Sequence, residues 1–187
     1  MTGAAALAAA LALALSIALL CARRIGTAVI ICAIQALLSA AALAALRWQP
    51  AATALVAFAL NGIALPLALL RVVHRPAMSP VIATRNGAVG FWLAALMLST
   101  LVVAAFTQVR PNPASDSLVL GSSIVLLGLL LVAQRSHPLA PALGLLSSQN
   151  GLLLVASATP DLPLSARLVV ILPLVPGLIL ANAWLRQ

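Results

Sequence analysis

Four side-chain amides, Gln35, Asn61, Gln149 and Asn150, interrupt long apolar runs. They stand in "CAIQALLSA", "AFALNGIALPLALL" and "LGLLSSQNGLLLVA". An amide without a partner is costly in hydrocarbon, so all four are expected to face other helices and not lipid. Two kinds of chemistry fit such groups. They can make interhelical hydrogen bonds, each worth roughly 0.6 to 2 kcal/mol in a membrane, which fix helix rotation and register. They can also line a path for protons or ions. A proton relay needs groups that gain and lose protons, and a carboxamide does neither. No Asp, Glu, Lys or His falls in the interior of any apolar run, so this chain is expected to be a poor proton carrier by itself.

The remaining reactive side chains are sparse. Cys21 and Cys32 stand eleven positions apart, with neither CxxC spacing nor a Cys/His cluster, and read as ordinary buried thiols. His74 and His137 lie in basic loops and read as solvated or headgroup-facing. Asp116 and Asp161 precede apolar runs and read as helix N-caps. No nucleophile–base pair, phosphate-binding loop or metal-ligating cluster is visible, so neither autonomous catalysis nor a bound cofactor or metal is expected.

The elements that position the amides follow from composition. With 64% hydrophobic and 6% charged residues, the 187-residue chain has too little polar surface to cover a water-soluble globule. Several uncharged stretches are long enough to cross about 30 Å of hydrocarbon as a helix. Short alternating segments of the kind a transmembrane barrel needs are absent. The expected fold is therefore all-α, a polytopic membrane helix bundle with about seven spans near 3–22, 25–46, 51–71, 88–108, 117–134, 138–158 and 164–185. Prolines beside polar groups mark the breaks, while Pro138 and Pro141 fall in a first turn and Pro66, Pro173 and Pro176 are expected to kink helices.

The net charge of +8 rests on arginines lying between the apolar runs, a topology signal and not a nucleic-acid footprint. Seven spans put Arg23, Arg24, Arg71, Arg75, Arg85, Arg135 and Arg186 on one side. Arg47, Arg110 and Arg167 fall on the other, with both aspartates. That asymmetry predicts an outer N-terminus and a cytoplasmic C-terminus. No positive charge precedes the first run and two arginines follow it, so it is expected to be a retained span and not a signal peptide. Trp48, Trp92 and Trp184 fall at span ends, as interfacial tryptophans do.

Shifting the chain by 114 positions places Gln35 over Gln149 and "LLCARRIG" over "LLVAQRSHP". The single membrane domain, 1–187, then divides into a repeat over about 3–71, a connecting helix over about 88–108 and a second repeat over about 117–185. The intervening crossing makes the two three-helix units parallel.

Four stretches together, "CAIQALLSA", "AFALNGIALPLALL", "AQRSHPLAPALGLLSSQNGLLLVA" and "PDLPLSARLVVILPLV", resemble the hydrogenase-4 component E family in order and spacing from the second span to the seventh. The resemblance implies an integral, non-catalytic subunit of a complex I-like assembly, similar to the small three-helix subunit of complex I and of cation/proton antiporters. It implies as partners large antiporter-like membrane subunits and a peripheral hydrogenase-like or dehydrogenase-like arm that carries the metal centres. Relatives usually read Glu-Asn-Gly where this chain has Gln149, Asn150 and Gly151. They often have a lysine near the place of Asn61 and an acid early in the last helix, where this chain reads "RLVVIL". All three charged positions are neutral here. A stand-alone small-molecule or ion transporter, and a structural membrane protein without an energy-coupling role, are the alternative readings.

Overall fold

The computed structural model describes residues 3–45, 58–73 and 113–157, together with the isolated positions Val81 and Leu96. Among them the fold is all helical. Helix α1 spans Gly3–Cys21 and α2 spans Ile25–Ala45; a π-helix at Phe58–Ala64 runs into α3, Leu65–Val73. Helices α4 and α5 span Pro113–Gln134 and Ala140–Ser157. The expected spans at 88–108 and 164–185, with Trp48, Trp92, Trp184, His74 and Asp161, lie outside the described residues.

Two apolar clusters give the helix directions. Leu19, Leu20, Ile25, Val29, Leu69, Val72, Leu131 and Leu143 pack together at one end. Ala9, Ala12, Ala42, Ile124 and Leu154 pack at the other. Helix α1 is therefore antiparallel to α2, α4 runs parallel to α1, and α5 runs parallel to α2. Arg23, Arg24, Arg71 and Arg135 all fall at the first of these ends.

Helices α1, α2 and α4 are long and apolar enough to cross a membrane. Their side chains are distributed as lipid requires. Leu7, Leu11, Ile17, Ile30, Ile34 and Leu37 are exposed, whereas Ala5, Ala9, Ala12, Ser16, Gln35 and Ser39 are buried. Large apolar groups face outward and small or polar ones inward, because lipid supplies no hydrophobic drive between helices and close packing must hold them together.

Close packing is tightest between α4 and α5. Gly121 and Gly128, seven residues apart on α4, meet Gly151 and Gly144, seven apart on α5. A Cβ on Gly128 would lie 2.5 Å from the Gly144 carbonyl oxygen, and one on Gly121 would lie 2.7 Å from that of Gly151. The obstacle in each case is backbone, which cannot turn aside as a flexible side chain does. Main chains this close admit Cα–H···O contacts along the hairpin.

The expected helix over 51–71 is corrected where it is described. From Phe58 to Ala64 the backbone is π-helical, and α-helix resumes only at Leu65. Pro66 supplies the reason: it lacks an N–H for the Gly62 carbonyl four residues back, and its ring crowds that carbonyl. A π register relieves the crowding by widening the turn. Asp116 is also not a cap, because α4 begins earlier, with Pro113 opening it and Asp116 inside the first turn.

Backbone contact predicts a sharp contrast between glycines. Gly128→Ala is expected to destabilise the protein by about 1–3 kcal/mol, the usual cost of overpacking. Gly26→Ala, where a Cβ meets nothing within 4 Å, is expected to be neutral or mildly stabilising. Thermal unfolding of both variants in mild detergent measures the difference, and equal midpoints would contradict the packing described.

Candidate functional site: a buried seam of amides and hydroxyls

Residues 147–150 read Ser-Ser-Gln-Asn, and consecutive helical residues point about 100° apart. Polar groups therefore emerge on every side of α5. Such a helix is costly in lipid, and 13 of its 18 residues are buried, including Ser147, Ser148, Gln149 and Asn150, while the apolar Leu152 is exposed. The two serines meet different neighbours. Ser148 Oγ lies 3.0 Å from the Val125 carbonyl of α4 and 3.0 Å from that of Gly144, so its one proton is shared across the glycine contact. Ser147, about 100° around the helix from Ser148, faces α2.

Gln35 is the hub of the seam. It is fully buried, and its Nε2 donates to Ser16 Oγ of α1 at 2.7 Å and to Ser147 Oγ of α5 at 3.0 Å. Ser16 in turn donates to the Ala12 carbonyl at 3.1 Å. One amide nitrogen thus uses both protons to tie three helices together.

Beyond this node the seam is unsatisfied. Gln35 Oε1, Ser39 Oγ and both amide atoms of Asn150 are buried without a hydrogen-bond partner among the described residues. Ser39 lies one turn from Gln35 on the stripe that continues to Ala42. Asn150 lies on the stripe Leu143, Ser147, Asn150, Leu154, whose ends pack in the two clusters that hold α1 and α2. Each orphaned polar group costs about 1–3 kcal/mol, so the seam concentrates polarity the fold does not need for packing.

Of the expected site residues, the structure places Gln35, Gln149 and Asn150 on adjoining helices α2 and α5, and it places Asn61 elsewhere. Asn61 sits at the centre of the π-helix against α2, with both amide atoms buried and unpartnered among the described residues. Its neighbour Gly62 lies under Leu37, whose Cδ2 would stand 3.1 Å from an added Cβ. Sequence reasoning missed Ser16, Ser39 and Ser147. The available signal was the spacing of Gln35 and Ser39, four residues apart and so on one helical face.

At the arginine end, Arg135 and His137 prove to be buried, which corrects the solvated reading of His137. The Arg135 guanidinium donates to the Leu20 carbonyl and caps α1, where the unpaired carbonyls and the negative helix end favour a cation. Burial lowers the Arg135 pKa from its usual value. His137 Nδ1 accepts from the Leu139 N–H at 3.2 Å and its carbonyl accepts from Ala140 at 2.9 Å, closing the turn into α5. Cys32 is buried and Cys21 exposed, and among the described residues no group of three His, Cys, Asp or Glu side chains stands together as a metal site.

Fold and seam together define a helical membrane protein with a neutral polar interior. Compared with protein-family models, curated proteins and solved structures, the chain matches none.

A double-mutant cycle tests the hub. Gln35→Ala and Ser147→Ala are expected to couple by roughly 0.6 to 1.7 kcal/mol, the range for interhelical hydrogen bonds in membranes. Additive losses of stability in detergent would mean that this hydrogen bond contributes nothing.

Proposed function

We propose that the chain is a non-catalytic integral subunit of a hydrogenase-4-like or complex I-like assembly in a bacterial inner membrane, where it scaffolds large antiporter-like subunits. The observation that carries this reading is the Gln35 node. A buried amide joins three helices in a seam where the described spans offer no Asp, Glu, Lys or His. Such a seam holds helices in register and orders water, but it stores no charge. The resemblance of the four sequence stretches supplies the family, and Gln149, in place of the glutamate usual there, agrees with a role in packing.

In this reading the whole chain has seven spans, built as two parallel three-helix repeats around a connecting helix, with the N-terminus outside. Helices α1 and α2 run parallel to α4 and α5, respectively, the relation that two parallel copies would have. The collection of Arg23, Arg24, Arg71 and Arg135 at one end supports the orientation, that end being cytoplasmic.

A stand-alone transporter is the second reading, favoured by the π-helix around Asn61, since π segments recur at functional sites. The two readings differ in what purification and reconstitution yield. A subunit is expected to be recovered from mild detergent with large antiporter-like chains and to be unstable without them. In that assembly Gln149→Leu is expected to lower the yield of complex and Gln149→Glu to be tolerated. Proton flux through vesicles containing this chain alone would overturn the subunit reading.

A further inference from the structure

The arginine end holds more cation than the fold uses. Arg135 is turned inward onto the Leu20 carbonyl, whereas Arg23, Arg24 and Arg71 are exposed and form no ion pair among the described residues. Asp116, the one acid among those residues, lies in the first turn of α4, at the opposite end of the bundle. Among the described residues this end gathers three exposed cations and no carboxylate, so its field favours an anion at the surface.

Depth and surroundings select the kind of anion. Arg23 and Arg24 occupy the turn between two helices long enough to cross a membrane, so they stand at headgroup level. Arg71 lies in the last turn of α3, and its long side chain reaches the same level by snorkelling. Below it, Leu67 on α3 and Ile63 on the π-helix that leads into α3 are exposed at successive four-residue steps. On α2, Thr27, Ile30, Ile34 and Leu37 form a second exposed stripe, below Arg24. The two helices pack against each other, Leu37 reaching Gly62, and beside Gly26 there is open space. Guanidinium above, apolar stripes below and open space beside Gly26 match a molecule with an anionic head and hydrocarbon tails.

We propose that Arg24 and Arg71 hold the phosphate of an anionic phospholipid whose acyl chains lie along the exposed stripes of α2 and α3. Arg23 strengthens the field without needing contact. Guanidinium suits this task because its planar fork grips phosphate through two hydrogen bonds. A topology signal alone would be indifferent to the headgroup once the chain is inserted, whereas this site discriminates among headgroups in the folded protein.

Native mass spectrometry of the full chain in mild detergent, doped with equal amounts of phosphatidylglycerol and phosphatidylcholine, reads the discrimination. Wild type is expected to retain phosphatidylglycerol preferentially, with the preference falling roughly fivefold for each of Arg24→Gln and Arg71→Gln, from about 1 kcal/mol per surface cation. Inorganic phosphate is expected not to compete. Equal retention of the two lipids, an unchanged preference in the variants, or displacement by inorganic phosphate would each overturn the proposal, the last by pointing to a small-anion site. Should a variant fail to fold, a salt titration of wild type reads the same contact. The preference is expected to fade as ionic strength rises, and persistence at high salt would overturn the proposal too.

Discussion

Main-chain contact at Gly121, Gly128, Gly144 and Gly151 sets the separation of α4 and α5, and the rest of the described bundle is arranged around that distance. With the two backbones this close, Ser148 reaches a carbonyl of the neighbouring helix, which turns Ser147 toward α2 and into range of Gln35. A single added methyl at the contact would move α5 and with it the acceptor that joins the second hairpin to the first. The hydrogen-bonded node therefore depends on packing, although the node itself supplies the specificity that packing of Ala and Leu lacks.

The node also explains how a helix with four consecutive polar residues stays in an apolar protein. Helix α5 packs against both α4 and α2, and all four of its consecutive polar side chains are buried. The cost is left in the unsatisfied atoms of Gln35, Ser39 and Asn150. Neutral groups tolerate this where charged ones would not, because an unpaired ion in a low-dielectric interior costs far more than an unpaired amide. A seam of amides and hydroxyls is thus stable enough to persist and polar enough to order water.

Much of this was legible in the sequence. The limits of α1, α2 and α5 fall within two residues of expectation, because charge and proline punctuate uniformly apolar runs. Burial of all four amides followed from their cost in lipid. The partners of Gln35 did not, since serine is common in such helices and nothing in its type says which one faces inward. The heptad spacing of the glycine pairs was visible but carried no meaning until α4 and α5 were placed side by side. The π-helix was missed because proline announces a disturbance without saying how the backbone will absorb it. Arg135 was read by its charge alone, whereas its position after α4 brings it to an unpaired helix end.

Two of the bonds described connect residues far apart along the chain: Gln35 to Ser147, 112 positions away, and Arg135 to the Leu20 carbonyl, 115 positions away. A ribosome adding about 5–20 residues per second needs on the order of ten seconds to make the intervening chain. During that interval the first hairpin is already long enough to enter the bilayer with Gln35 bonded to Ser16, yet the second proton of the Gln35 amide still lacks Ser147 and the Leu20 carbonyl still lacks Arg135. Completion of the node is therefore deferred to the emergence of the second hairpin, which brings Arg135 first and Ser147 twelve residues later.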